Sequence, residues 1–251
     1  MEIKFNNKVV VVTGGTGGIG QACVKAYLQS GAKVVILDVE NENLQKIEAN
    51  MAVYGEVKGY VMNLLDLKSI ESAVNNVLKD FGRVDVLVQV AGLMKSADSQ
   101  HIDENSWDRM FDINAKGSFF LAKLIMEKYM KENGGNIINF SSVAAIRGFS
   151  GNMASPHYSA SKAALISLSR QLAVEWGKYD IRVNAIVPGG VLTPAMEAMN
   201  FDNKIFESIP LRRLCKTEEI ANTILFLTSD KASMITGQAI VVDGGASIVG
   251  Q

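Results

Sequence analysis

Short runs of apolar, largely β-branched residues, alternating with segments whose apolar positions fall at helical spacing, constrain this chain more than any other feature. The runs are 9–12, 34–37, 57–61, 84–90, 136–140, 182–187 and 239–242. A run that is apolar on both faces needs cover on both faces, and strands alternating with helices supply it as a parallel sheet between two helical layers. Ile70, Ala73, Val74, Val77 and Leu78 show the periodicity of a helix that packs on one side. The alternation predicts an α/β fold. It should be a single doubly wound domain over residues 1–251, with a seven-stranded parallel sheet and helices on both faces. No fixed-period repeat, low-complexity tract or Pro/Gly/Ser linker divides the chain, and 251 residues that are 48% hydrophobic are enough for a sizeable core.

Charged residues make up 20% of the chain and the formal net charge is −1, which offers no polyanion-binding surface, so nucleic acid is not an expected partner. The opening MEIKFNNK has no apolar signal core, and no later run is long enough to span a bilayer. Cys23 and Cys215 are the only cysteines, too few and too far apart for a disulfide framework or a zinc site. No His/Cys/carboxylate cluster has metal-ligand spacing, so no metal is expected. The composition suits a cytoplasmic protein with a small-molecule partner.

The first run leads into Thr13-Gly14-Gly15-Thr16-Gly17-Gly18-Ile19-Gly20, and a helical pattern starts at Gln21. Glycines here allow backbone angles that side chains forbid and let a pyrophosphate lie against the N-terminus of a helix. A glycine-rich turn alone is weak evidence, but its place between an apolar strand and a helix predicts a Rossmann-type dinucleotide site. Asp38 closes the second run, where a carboxylate can accept hydrogen bonds from both adenosine ribose hydroxyls. It would also repel a 2′-phosphate, and neither position 17 nor positions 39–40 carry a Lys or Arg to offset it. The expected cofactor is NAD(H), preferred over NADP(H). The structural alternative is an acid that caps the next helix.

Tyr158 and Lys162 stand four residues apart, on one face of a helix. A phenol titrates near 10, and a fixed positive charge beside it stabilises the phenolate and brings it toward working range. The pair could equally be an ordinary exposed helix pair. The run 136–140 ends at Ser141 and Ser142, where a sheet of this kind binds ligands, and a hydroxyl there can hold a carbonyl oxygen beside the tyrosine. Two serines also suit a turn or helix start. Asn114 lies inside the amphipathic segment 106–131 and is followed by Gly117, which is a local misfit for a helix interior and hence a candidate functional position.

Together these residues resemble the short-chain dehydrogenase/reductase family over essentially the whole chain. The match is a conjunction of Thr13-Gly14, Gly18, Gly20, Asp38, Ala91-Gly92, Asn114, Ser142, Tyr158 with Lys162, and Pro188-Gly189 with Thr193. The resemblance implies an enzyme that moves a hydride between NAD(H) and a secondary alcohol or ketone. Tyr158 would exchange the substrate proton and Lys162 would hold the nicotinamide ribose and tune Tyr158. Ser142 would orient the carbonyl oxygen, and Asn114 would fix a water that feeds the proton relay. Cofactor contacts are implied at Gly14, Thr16, Gly17, Gly18, Ile19, Gly20, Asp38, Val39, Asn63, Leu64, Val90, Ala91, Gly92, Tyr158 and Lys162. Pro188, Gly189, Val191 and Thr193 complete the set near the carboxamide and phosphates. The chain departs from the family pattern at Gln89-Val90, where the pattern has two asparagines, of which the first is thought to brace neighbouring strands. It departs again at Asn63, where an acid is usual, and in the stretch from Ser142 to Tyr158, which is longer than is common.

A substrate loop is expected over about 190–212, where Met196, Met199, Phe201 and Phe206 suggest an apolar wall for a hydroxysteroid, bile acid or other bulky alcohol, or simply loop packing. Sugar or polyol alcohols and 3-oxoacyl thioesters are alternatives within the resemblance, and NADPH use in the thioester reductases makes Asp38 count against them. A silent NAD-binding sensor or scaffold is a rival of another class, but it would have lost Tyr158 or Lys162. Enoyl reductases normally space that pair more widely, and extended epimerases have a longer C-terminal region. His157 reads as a helix-start residue in contact with solvent or substrate, and 216–220 as a solvated helix face. Cys215 lacks an activating neighbour other than Lys216. The last strand resembles one through which relatives form homotetramers, so a homotetramer is expected.

Overall fold

The computed structural model describes residues 3–197 and 203–249. The strands are β1 (Val9–Thr13), β2 (Lys33–Asp38), β3 (Val57–Val61), β4 (Val86–Gln89), β5 (Gly135–Phe140), β6 (Ile181–Pro188), β7 (Val191–Leu192), β8 (Cys215–Lys216) and β9 (Ala239–Val242). Seven of them form one sheet in the order β3-β2-β1-β4-β5-β6-β9, and every pairing is parallel. The short β7 and β8 pair with each other beside it. Each predicted apolar run is a strand of the large sheet; the inner strands β1, β4 and β6 are covered on both faces, whereas the edge strands β3 and β9 are partly exposed.

The helices are α1 (Gly18–Gln29), α2 (Asn41–Met51), α3 (Leu67–Phe81), α4 (Glu104–Phe111), α5 (Ser118–Ile125), α6 (Lys131–Asn133), α7 (Pro156–Trp176), α8 (Pro194–Glu197) and α9 (Thr217–Thr228). One apolar core packs α1, α2 and α9 against the sheet through Cys23, Tyr27, Leu44 and Ile224. On the opposite face α3, α5 and α7 meet the sheet through Val74, Leu121 and Leu172. Strand order reverses between β1 and β4, so their C-terminal ends open a crevice, the place where such sheets bind ligands.

The predicted amphipathic segment 106–131 belongs to a helical stretch, 104–133, that is widened to π geometry at Asp112–Gly117 and again at Met126–Met130. The first widening ends at a glycine that the fold requires. A Cβ on Gly117 would lie 2.5 Å from the carbonyl oxygen of Leu64, so this turn must run bare along the loop after β3. Two expectations need correction. Ile220 is fully buried against the core, so the solvated face of this segment stops at Glu219. His157 is buried, with Nδ1 3.3 Å from Ser155 Oγ, and is not a solvent-facing residue.

Candidate active site

Strand β1 leads into the glycine turn through Gly14, whose φ of +65° is left-handed and whose Cβ would sit 2.8 Å from the backbone of Ala91. Gly20 is tighter still: a Cβ there would lie 2.1 Å from the Gly14 carbonyl oxygen. These two positions let α1 start directly on the turn. The N-terminus of α1, at Gly17, has no side-chain cap and no acid in its first turn, so its backbone N–H groups remain open to an anion. At Gly17 the nearest atom to a Cβ is 3.5 Å away, which leaves the open side of the turn clear.

The turn forms one wall of a groove of about 730 Å³. Gly14, Thr16, Gly17, Gly18, Ile19 and Gly20 line it from the first strand end, and Asp38, Val39, Asn63 and Leu64 from the second and third. Val90, Ala91, Gly92 and Thr193 line its far side. Thr13 Oγ1 accepts from Ala91 N at 3.1 Å and ties the two sides together. The Asp38 carboxylate points back at the turn: Oδ2 accepts from Thr16 N at 3.1 Å and from Thr16 Oγ1 at 2.6 Å. Oδ1 accepts from Val39 N at 2.8 Å. Asp38 therefore does not act as a cap for α2, whose N-cap is Glu40. Asn63 Oδ1 accepts from Leu65 N at 3.0 Å, which leaves its N–H₂ group for a ligand. An uncapped helix start, a bare glycine cradle and an acid at the second strand end fit a dinucleotide.

Pro188, Gly189 and Val191 lie off this groove. A Cβ on Gly189 would strike Asp243 at 2.7 Å, and Val191 is buried in the core while its strand pairs with Cys215.

Beyond Gly92 the groove meets a second cluster. A Cβ on Gly92 would lie 3.0 Å from Lys162 Nζ and 3.1 Å from Asn114 Oδ1, so only glycine lets the groove reach both. Lys162 is buried; its Nζ donates to the Phe140 carbonyl at 2.7 Å and stands 5.7 Å from the centre of the Tyr158 ring. The two serines have separate places. Ser141 is buried and donates to the Lys162 carbonyl at 2.8 Å, whereas Ser142 is within hydrogen-bonding reach of the Tyr158 phenol. Asn114 is fully buried, and its amide is committed to protein. Oδ1 accepts from Leu93 N at 2.7 Å, while Nδ2 donates to Leu93 O at 2.9 Å and to Ser161 Oγ at 2.9 Å.

Electrostatics differ from the expectation for an isolated Tyr/Lys pair. Burial pushes the Tyr158 phenol above its ordinary value, and the Ser142 hydrogen bond opposes this only in part. Burial also lowers the Lys162 ammonium to about 8. With protein groups alone, Tyr158 is held protonated, as a proton donor.

A family model described as "Enoyl-(Acyl carrier protein) reductase" matches residues 14–247. A 3-oxoacyl-[acyl-carrier-protein] reductase of Thermotoga maritima is 37% identical, over 98% of this chain and 100% of that protein. The chain belongs to the short-chain dehydrogenase/reductase family. It is an oxidoreductase of the kind that acts on CH–OH donors. A 7alpha-hydroxysteroid dehydrogenase of Bacteroides fragilis is 35% identical, with 98% of this chain and 96% of that one covered. The solved structure of an NAD⁺-bound xylitol dehydrogenase superimposes with a TM-score of 0.89 at 31% identity, covering 96% of this chain and 100% of the other.

Against the family pattern, Gln89 keeps a bracing role. Its Nε2 donates to Asn139 Oδ1 at 2.7 Å, and Asn139 Nδ2 donates to Ser169 Oγ at 2.8 Å, a buried link from β4 through β5 to α7. The longer side chain leaves Gln89 Oε1 buried without a partner. Residues that sequence reasoning missed include Ser161, which anchors Asn114 from the Tyr158 helix, and Ile113 and Arg109, which line the groove. Ser161 sits between Tyr158 and Lys162 in sequence, but only the fold shows which way it faces. Of the expected apolar wall, Met196 and Phe206 are partly buried, while Met199 and Phe201 lie outside the described residues.

Proposed function

We propose that this enzyme interconverts a secondary alcohol and a ketone with NAD(H) rather than NADP(H), using Tyr158 as acid and base. The observation that carries the cofactor choice is Asp38: its carboxylate lines the groove and is fixed by Thr16 on the side where a ribose 2′-substituent would lie. Bound NAD(H) supplies or accepts the hydride. Tyr158 Oη gives its proton to the carbonyl oxygen in reduction and takes it back in oxidation. Ser142 Oγ donates a hydrogen bond to that same oxygen. Lys162, already oriented by the Phe140 carbonyl, places a cation behind the phenol and stabilises it as the proton leaves. Asn114 acts as a positioning residue, because its amide pins Leu93 and Ser161. A water that feeds the relay would be held by a backbone carbonyl of the widened turn Asp112–Gly117 and not by the Asn114 amide.

A bulky apolar substrate is supported by exposed Met94, Ile146 and Met153 on the segments that flank Ser142 and Tyr158, and by the hydroxysteroid dehydrogenase relative. Polyol and 3-oxoacyl thioester substrates draw equal support from the other relatives. Exposed Val174, Met234 and Val241 suit burial in a homotetramer. Initial rates with NAD⁺ and with NADP⁺ on hydroxysteroids, polyols and 3-hydroxyacyl thioesters test the reading. Turnover with NAD⁺ in one class is expected, and turnover only with NADP⁺ would overturn the cofactor assignment.

A further inference from the structure

The stretch between Ser142 and Tyr158 carries a cation that the proposed chemistry does not use. Arg147 is partly buried and makes no ion pair among the described residues. Its guanidinium is nonetheless held in place, because Nη1 donates to the Ala246 carbonyl and the group lies 5.7 Å from the centre of the Phe149 ring. Asp243, the acid of the same terminal turn, is engaged elsewhere: its oxygens accept from Gly245 N at 2.8 Å and Ser247 N at 2.7 Å. Arg147 lines a second cleft, of about 500 Å³, together with Ile146, Phe149, Ser150, Ser247 and Val249. The cleft combines two hydroxyl-bearing residues, an apolar wall and one orphan cation. Gly148, beside Arg147, has nothing within 4 Å of where a Cβ would be, so the mouth is open.

The lining of the cleft begins at Ile146, four residues after Ser142. Arg147 N donates to the Val143 carbonyl at 2.9 Å, which places its backbone one turn, about 5 Å, beyond Val143, the residue that follows Ser142. A planar guanidinium with free N–H groups, fixed at one edge, matches a carboxylate. We infer that Arg147 and its cleft bind a carboxylate on the substrate, several bonds away from the carbon that reacts at Tyr158. This rests on the proposed alcohol/ketone reading and narrows its substrate class to hydroxy or oxo acids.

The test uses aliphatic oxo acids from 4-oxopentanoate to 9-oxodecanoate and their methyl esters, reduced with NADH by the full-length enzyme. The expected result is an acid-to-ester ratio of kcat/KM that peaks at one chain length at about fivefold, the size of a partly exposed charge pair. Arg147→Gln keeps a donor for Ala246 but loses the charge, and it should bring the ratio to about 1 through a higher KM for the acid. A wild-type ratio at or below 1 at every length, or a ratio unchanged in Arg147→Gln, would overturn the inference and leave Arg147 as a clamp on the terminal turn. Calorimetric titration of each acid of the series into both proteins reads the site without turnover. Binding that Arg147→Gln weakens upholds the carboxylate site even if no ketone is reduced, in which case the alcohol/ketone reading alone has failed. Equal binding or none overturns it.

Discussion

Replacing Asp38 by Asn removes one charge from the groove and, with it, the bond that Oδ1 accepts from Val39 N. Thr16 Oγ1 donates to the carboxylate at 2.6 Å, and an amide oxygen can accept the same bond, so the glycine turn keeps its shape. The difference falls on a 2′-phosphate, which must approach the position of the carboxylate. Two unit charges about 4 Å apart repel by ~4 kcal/mol at an effective dielectric near 20. Asp38 is only partly buried, and salt screens a pair at the rim of a groove, so about half of that survives. A change of about 2 kcal/mol corresponds to a ~30-fold rise in the NADP⁺-to-NAD⁺ ratio of kcat/KM. Steady-state kinetics with each cofactor, at saturating alcohol and at low and high ionic strength, measure it. The gain should come from NADP⁺ and should shrink as salt is raised. A ratio within about twofold of wild type, or one indifferent to salt, would refute the electrostatic argument.

Gly20→Ala should destabilise the fold by about 3 kcal/mol or more, because its Cβ has no room beside the Gly14 carbonyl, whereas Gly17→Ala should stay within about 1 kcal/mol of wild type. Thermal unfolding should therefore separate the two by ~6 °C or more. Lys162 should make stability depend on pH. Its ammonium titrates near 8 in the folded protein against 10.5 ordinarily, so between those values the unfolded chain binds more protons and stability rises with pH. Below about 8 the full cost of the buried charge is present. Lys162→Met should then be more stable than wild type at pH 7 by about 1–2 kcal/mol, allowing for the lost bond to Phe140, while losing activity. Urea titrations should show that margin close as pH approaches 10, and a margin that widens would reverse the assignment.

The sheet is legible in the sequence because its inner strands are apolar on both faces, and short runs of that kind are stable only between two covering layers. Position in the fold makes the glycine turn and Asp38 legible as well. The widened turn at Asp112–Gly117 is legible only as an oddity, since the close approach that requires glycine at its end is to Leu64, 53 residues upstream of Gly117. The protonated state of Tyr158 is not legible. Four-residue spacing shows that a cation is near but not that burial raises the phenol, with the Ser142 hydrogen bond opposing it only in part. Ile220 is hidden for a similar reason, because the charged residues before it mask the first apolar position of α9. Gln89 can be read as a departure but not as a working brace, since its partners Asn139 and Ser169 lie on other elements.

The role of the Tyr158 hydroxyl is tested most directly by the single-turnover rate of hydride transfer in Tyr158→Phe, followed by NADH absorbance, with NADH affinity measured alongside. A fall of about 10³-fold or more with NADH affinity nearly unchanged is expected for the loss of a proton donor that does not shape the groove. A rate within about tenfold of wild type, with its pH profile intact, would mean that the proton comes from another group.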